Sequence, residues 1–293
     1  MKTRIAYVFT LVVLIVSISA CNTKKKSEET TTENTAPALD PRYASEETKE
    51  VIEKMIKAHG DLEKWKNSPS VSYQHTYIGP FDPSDPWTSD EIIEQGKRRV
   101  YQNWPLDKAE IFYNGKGYYS VNWKRGNPAK FTAHLAYYFS NIPWLTQDNG
   151  VKLGEVRTRE IFDEPKEYIA VKMTFEPTAG ESPKDYYDLM IDPETYELKA
   201  MEYVVAYGAI LDAMGLPAEV EFFGPMIKKF EKYEVVDEFK VPVKLITLGP
   251  EGEDFGFHTY KNWSFTKPFT DDLVKIPENA VKDTSSSKRK KAE

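Results

Sequence analysis

Apolar and polar residues alternate with a period of two along much of the chain, and this pattern is typical of β-strands with one buried face. Residues 71–77, Val-Ser-Tyr-Gln-His-Thr-Tyr, show it clearly. Further segments with the composition of strands are 91–103, 109–113, 117–123, 151–162, 167–176, 186–192, 197–206, 229–237, 241–248 and 256–265. The turn sequences Asn114-Gly115 and Asp192-Pro193-Glu194-Thr195 join neighbouring segments, so we expect successive antiparallel hairpins.

Four segments repeat their apolar residues at the spacing of a helix instead. Ser45 caps the first predicted helix, which has two glutamates in its first turn and ends at His59-Gly60. A short second helix is expected at 61–66, and two apolar helices are expected at 131–145 and 206–216.

A run of hairpins with few interposed helices predicts a mainly β (α+β) fold. We expect one strongly curved antiparallel sheet, a half-barrel, with the helices covering its concave face. No linker rich in proline or glycine divides residues 43–282, so this part is expected to form one domain.

The chain begins with the layout of an export signal peptide. Two basic residues within 1–4 precede an apolar run over 5–18, which is too short to span a bilayer as a helix. Ile18-Ser19-Ala20-Cys21 resembles the bacterial lipobox, in which residues 1–20 would be removed and the cysteine acylated. The only cysteine of the chain, Cys21, stands at the position that a lipobox requires, and this favours the lipoprotein interpretation. The alternative is an ordinary secretory signal with an accidental cysteine.

The lipobox resemblance implies a lipoprotein anchored by acyl chains, palmitate among them, on Cys21. Asn22 stands where an aspartate would, by the Gram-negative sorting rule, retain the protein in the inner membrane, so the implied location is the outer membrane. The sequence does not indicate whether the anchor lies in the periplasmic or the external leaflet. Residues 21–42 are polar and predict a flexible tether, and residues 283–293 predict a disordered basic tail.

Composition and charge exclude several classes of function. Lys and Arg number 39 against 46 Asp and Glu, a net charge of -7, so nucleic acid is not an expected partner. With one cysteine and four scattered histidines, we expect neither an intramolecular disulfide nor a metal site. The sequence has no nucleophile elbow, zinc-protease motif or phosphate-binding glycine loop. We therefore predict no catalytic residue, no cofactor and no enzymatic activity.

Two sets of residues leave alternatives open. His75 and His258 lie in predicted strands, where a buried hydrogen-bonded role is the simpler interpretation, and a general base is the alternative if both face one cavity. Four tryptophans either fill space or form a flat sugar-binding platform: Trp87, Trp104, Trp123 and Trp263. With 46 acidic residues, a carboxylate pair for hydrolysis cannot be recognised from spacing.

Residues 51–73 read VIEKMIKAHGDLEKWKNSPSVSY, a helix that ends in Ala-His-Gly and leads through a Leu-x-x-Trp turn into the first strand. This opening and the hairpins EIFYNGKGYYSVN and DLMIDPETYELKAMEYVV are similar to a group of uncharacterised Gram-negative outer-membrane lipoproteins. From 51 to 265 the chain resembles the half-barrel of the lipoprotein carrier LolA and its outer-membrane receptor LolB. The resemblance implies an apolar cavity for acyl chains.

The sequence thus predicts a membrane-anchored lipoprotein that binds an apolar or lipid-like ligand in a half-barrel cavity without catalysis. The residues predicted to line the cavity are Tyr138, Phe139, Trp144, Leu145, Ile210 and Met214. The expected partners are the outer membrane, through the acyl chains, and a lipid or acyl ligand. Two alternatives stay open, a surface glycan-binding lipoprotein and a hydrolase with an unrecognised carboxylate pair.

Overall fold

A computed structural model describes residues 38–289, except 81, 162, 163, 181 and 183. The predicted signal peptide, Cys21 and most of the predicted tether lie outside the described residues, as do the last four residues of the predicted tail. No helix within the described ranges is long and apolar enough to cross a bilayer.

The described part of the chain contains thirteen β-strands and five α-helices. The strands are β1 Ser70–Ile78, β2 Trp87–Glu94, β3 Val100–Trp104, β4 Ala109–Tyr113, β5 Tyr118–Val121, β6 Val151–Ile161, β7 Glu164–Phe175, β8 Tyr187–Ile191, β9 Leu198–Val205, β10 Phe223–Val236, β11 Phe239–Leu248, β12 Asp254–Ser264 and β13 Val281–Lys282. The helices are α1 Glu46–His59, α2 Leu62–Asn67, α3 Ala129–Thr132, α4 Leu135–Leu145 and α5 Gly208–Ala213. A 3₁₀ turn covers Asp271–Val274.

All the strands belong to one antiparallel sheet with the order β13-β5-β4-β3-β2-β1-β12-β11-β10-β9-β8-β7-β6. Two meanders of consecutive strands, β1–β5 and β6–β12, make up most of it. The two meanders meet where β1 pairs with β12. The sheet is therefore continuous from β13 to β6. The first strand of one meander, β1, and the last strand of the other, β12, lie at its centre.

The sheet bends so far that strands from both ends reach the same interior. Helix α1 packs on the edge strand β6 and on β11, which is five strands away in the sheet. Tyr118 of β5 and Tyr187 of β8 line one cavity although they lie towards opposite ends of the strand order. Most side chains of α4 are buried, because the curved sheet and α1 enclose this helix. The predicted fold class is confirmed.

The first helix forms as its sequence predicts. The side chain of Ser45 accepts a hydrogen bond from the backbone N–H of Thr48 (3.2 Å), which satisfies an otherwise free donor of the first turn. Gly60 ends the helix at φ 140°, a backbone conformation that favours glycine. The apolar face of the helix is buried through Val51, Ile52, Met55 and Ile56.

Aromatic packing fixes α2 and α4 in the core. Trp65 of α2 stacks on Trp144 of α4 with ring centroids 5.5 Å apart. Trp65 also donates from its indole N–H to the side chain of Asn141 (3.2 Å), so the buried polar atom is satisfied. Phe239 and Phe265 pack against the ring of Trp144. Helix α4 is thus held in place by rings from α2, from β11 and from the residue that follows β12.

Two predicted elements differ from the structure. The prediction of a single strand at 91–103 is wrong, because a turn at 95–97 separates β2 from β3. Gly96 lies in this turn. The helix expected at 131–145 is two helices, α3 and α4. The chain leaves the helical conformation at His134 (φ -118°, ψ 1°), where the imidazole Nε2 donates to the carbonyl of Arg98 (2.9 Å).

The C-terminal segment follows the sheet edge. β13 pairs with β5, and residues 283–289 of the predicted tail then lie beside α5. The backbone N–H groups of Gly208 and Ala209 donate to the carbonyls of Ser287 (2.8 Å) and Ser286 (3.1 Å). This part of the chain therefore covers the first turn of α5.

Candidate functional site

A cavity of about 350 Å³ lies between the helices and the concave face of the sheet; we call it the central cavity. Helices α3, α4 and α5 line one side of it, and strands β9, β10, β12 and their neighbours line the other. Its apolar lining includes Phe139, Val205, Ile210, Phe223, Met226 and Phe255. The volume is at the lower end of the range of about 300–1,000 Å³ that is usual for small-ligand sites.

A second cavity of about 310 Å³, the lateral cavity, lies on the other side of α3 and α4. Strands from both ends of the sheet contribute to its lining, among them β5 and β7. Phe131 and Leu135 line both cavities. The end of α3 and the start of α4 therefore lie between the two spaces.

The six residues predicted to line a ligand site are divided between these spaces and their surroundings. Phe139 and Ile210 line the central cavity, and Tyr138 and Leu145 line the lateral cavity. The remaining two line neither cavity: Trp144 is buried in the core and Met214 is 45% exposed. A role of the six in ligand binding stays a prediction.

A row of five polar side chains crosses the sheet at the central cavity. Each comes from one of five adjacent strands, β2, β1, β12, β11 and β10, in the order Glu91, His75, His258, Thr247 and Lys228. All five line the cavity, and none is more than 7% exposed. We call these residues the polar row.

Hydrogen bonds connect the row from Lys228 to His75. The Nζ of Lys228 donates to Thr247 Oγ1 (2.8 Å) and lies 2.8 Å from His258 Nε2. Nδ1 of His258 is 2.8 Å from Nε2 of His75, and Nδ1 of His75 lies 3.9 Å from a carboxylate oxygen of Glu91. Lysine donates and does not accept when it is charged. His258 then accepts at Nε2 and carries its proton on Nδ1, which donates to His75.

Burial sets the charge of the two histidines. It lowers the pKa of His75 to about 3, with the Lys228 charge acting in the same direction. The pKa of His258 is also well below its ordinary value, because of burial first and of the charge of Lys228 second. Both imidazoles are therefore neutral at pH 7. Neutral rings are consistent with a single direction of proton donation along the row, from Lys228 towards Glu91.

The two ends of the row carry the groups that titrate near neutral pH. Burial lowers the pKa of Lys228 to about 7. Burial also raises the pKa of Glu91 to about 7, against hydrogen bonds from Ser89, Gln102 and Tyr73 that lower it. Ser89 Oγ donates to Glu91 Oε1 (2.6 Å), and the Tyr73 hydroxyl donates to Oε2 (3.1 Å). The carboxyl of Glu91 therefore accepts hydrogen bonds from its own partners, whereas Lys228 lines the central cavity and forms no ion pair with a described carboxylate.

Sequence reasoning identified the two histidines of the row and missed Lys228, Thr247 and Glu91. Lys228 is followed by Lys229, and adjacent strand residues face opposite sides of the sheet, so one of the two had to face inward. Met226, Lys228 and Phe230 alternate along β10 and are all buried. The apolar residues two positions before and after Lys228 were the signal that it faces the interior.

Both alternatives raised by the sequence can be compared with the geometry. His75 and His258 do face one cavity, which was the condition for a general base. Neither ring bonds to a serine, threonine or cysteine side chain in the described residues. The structure also describes no group of three or more His, Cys, Asp or Glu side chains that could hold a metal ion. The row is consequently a polar wall of the cavity in which neither histidine is paired with a hydroxyl or thiol nucleophile of the described residues.

The four tryptophans of the glycan interpretation do not share a plane. Trp87, Trp104 and Trp123 meet edge to face, with interplanar angles of 78°, 84° and 61°. Trp263 is 8% exposed and donates its indole N–H to the carbonyl of Pro242 (3.2 Å). Trp87 and Trp104 line the central cavity, so these rings enlarge its aromatic wall.

Comparison with known proteins gives matches to solved structures alone, since neither a family model nor a curated protein matches the chain. A LolA superfamily protein from Nitrosomonas europaea matches with a TM-score of 0.48 and 9% identity, over 78% of this chain and 97% of that one. A DUF1329 family protein from Desulfovibrio piger matches with a TM-score of 0.46 and 10% identity, over 81% and 98%.

A domain of an outer membrane lipoprotein-sorting protein from Vibrio parahaemolyticus matches with a TM-score of 0.45 and 7% identity, over 78% of this chain and 95% of that one. LolA-like proteins, which the sequence resembles, are thus among the matched structures. All three TM-scores are below 0.5, so these matches indicate no function for this chain.

Proposed function

We propose that this protein binds an apolar or lipid-like ligand in the central cavity and does not catalyse a reaction. The observation that carries the proposal is an unfilled space of about 350 Å³ with apolar walls, enclosed by helices on one side and a curved sheet on the other. Burying apolar surface contributes about 25 cal/mol per Å². A flexible hydrocarbon chain suits such walls because it needs few directional contacts.

The proposal includes attachment to the outer membrane through an acylated Cys21. Its support is the sequence of residues 18–21 and the absence of an aspartate at position 22. Residues 21–42 would separate the cavity from the membrane surface as a polar tether. Incorporation of an alkyne-labelled palmitate into the wild-type chain, and its loss in Cys21→Ser, is the expected result. Equal labelling of both chains would contradict the anchor.

A cavity-filling substitution tests the binding site. Val205 lines the central cavity at the end of β9, and Val235 on β10 is 68% exposed and does not line it. Val205→Trp adds a large ring to the cavity, and Val235→Trp adds the same ring at the surface as a matched control. The probe is N-phenyl-1-naphthylamine, a neutral dye whose fluorescence rises in apolar surroundings. The full chain is kept in digitonin, a detergent without an acyl chain.

We expect the dye to bind the wild type and Val235→Trp with similar affinity and to bind Val205→Trp at least tenfold more weakly. Far-UV circular dichroism of the three chains checks that the sheet is intact. If dye binding is absent from the wild type, or is unchanged in a folded Val205→Trp chain, the proposed site is wrong. Native mass spectrometry of the wild type provides a second measurement, because a co-purifying acyl compound would appear as added mass.

A further inference from the structure

The polar row places a lysine without a counter-charge in the wall of the central cavity. Lys228 is 1% exposed, and no Asp or Glu of the described residues forms an ion pair with it. The row's own carboxylate, Glu91, lies beyond two neutral imidazoles. A buried charge is costly unless it is paired. The protein therefore keeps an unpaired basic group at the place where a ligand would lie.

Two aromatic rings next to Lys228 attract its cationic form, against the burial that lowers the pKa of this lysine. The ammonium lies 4.2 Å from the ring centroid of Phe139 and 5.4 Å from that of Tyr203, within reach of cation–π attraction. Two of its donors are used by Thr247 and His258. An ammonium has three N–H donors, so one is left for a ligand. These contacts orient the side chain and leave its charge for a partner inside the cavity.

The apolar part of the cavity begins next to this cation. Phe139, Tyr203 and Met226 line the same space as Lys228, and Ile210 and Phe223 extend the apolar wall. An amphiphile with its acidic group on the lysine would place its hydrocarbon chain against these side chains. A cavity of about 350 Å³ favours one chain over two or three.

We propose that Lys228, with the hydroxyl of Thr247, binds the anionic head group of a single-chain amphiphile, a carboxylate or a phosphate monoester, whose chain occupies the central cavity. This inference rests on the proposed function and specifies its ligand class. Fatty acids and monoalkyl phosphates share the required chemistry, namely one acidic oxygen group at the end of one chain. The hydrogen bond between such a group and the ammonium is charge-assisted, and the low-polarity walls strengthen it.

Displacement of N-phenyl-1-naphthylamine from the full chain in digitonin tests the inference. Four competitors of equal chain length are compared at pH 6.5: decanoate, decyl phosphate, decan-1-ol and decyltrimethylammonium. We expect at least one of the two anions to bind the wild type ten times or more tightly than the alcohol, and the cation to bind most weakly. In Lys228→Met, the anions should lose at least tenfold in affinity and the alcohol should change by less than twofold.

The outcomes separate the inference from the proposed function. Equal affinity of anions and alcohol for the wild type overturns the inference and leaves the cavity as a neutral apolar site. Failure of the dye and of all four competitors to bind overturns the proposed function as well. The comparison of head groups on the wild type needs no substitution. It therefore shows whether the cavity prefers an anionic head group even if Lys228→Met does not fold. The anion that binds more tightly, decanoate or decyl phosphate, identifies the class of head group.

Discussion

Replacing Lys228 with methionine should remove a pH dependence of stability that the wild type shows above neutrality. The two side chains have similar length, and methionine packs well in buried apolar sites. In the native chain, burial lowers the pKa of Lys228 to about 7, whereas an unfolded chain has the ordinary lysine value of about 10.4. Between these values the unfolded state binds the extra proton, so the free energy of unfolding rises with pH.

The size of the effect follows from the difference between the two pKa values. Each pH unit within this window adds at most about 1.4 kcal/mol to the free energy of unfolding. Between pH 7.5 and 9.5 the wild type should therefore gain about 2 kcal/mol from this group. The titratable groups that face Lys228, namely His258, His75 and Glu91 along the row and Tyr203 across the cavity, are present in both chains.

Urea unfolding followed by tryptophan fluorescence at pH 7.5, 8.5 and 9.5 measures the effect. Lys232→Met is the matched control, because Lys232 is on the same strand and its side chain is 64% exposed. Relative to Lys228→Met, we expect the free energy of unfolding of the wild type and of the control to rise by about 2 kcal/mol over this range. Lys228→Met also loses the hydrogen bonds to Thr247 and His258, which lowers its stability at every pH. The decisive quantity is therefore the slope of the free energy of unfolding against pH. Parallel slopes in all three chains would refute a lysine held in this state by burial.

Three further outcomes are expected. Burial lowers the pKa of His59 to about 4, so His59→Gln should reduce the loss of stability that the wild type shows as the pH falls from 6.5 to 5; urea unfolding at both pH values measures it, and an unchanged loss contradicts it. Trp144→Ala should cost about 3–5 kcal/mol of stability by opening a cavity beside Trp65, and a loss below 1 kcal/mol would contradict the packing described. Ser45→Ala should cost about 1 kcal/mol through the lost helix cap, with Ser45→Thr as the conservative control; equal stability of all three chains would contradict the cap.

Local patterns were sufficient to predict most of the sheet and the first helix. The alternation in β1, the turn at Asn114-Gly115 and the cap at Ser45 each depend on residues that are close in sequence. The split of 91–103 was missed because the composition on both sides of Gly96 is that of a strand, and a glycine alone does not establish a turn. β13 was missed because two residues show no periodicity, and pairing with β5 determines their conformation.

The candidate site depends on long-range pairing, and sequence reasoning reached only part of it. His75 and Lys228 are more than 150 positions apart, and the β1–β12 pairing is what brings their strands into one sheet. Phe139 and Ile210 were predicted from helical apolar faces, which show that a residue is buried but not whether it faces core or cavity. That is why Trp144, with the same local pattern, proved to lie in the core.

The partition formed by Phe131 and Leu135 determines how long a molecule the interior accommodates. Both side chains lie on short helices, between a space of about 350 Å³ and one of about 310 Å³. Because both side chains line both spaces, shortening them is expected to join the spaces without movement of a strand. The double substitution Phe131→Ala and Leu135→Ala is then expected to let the protein bind a longer chain than the wild type accepts.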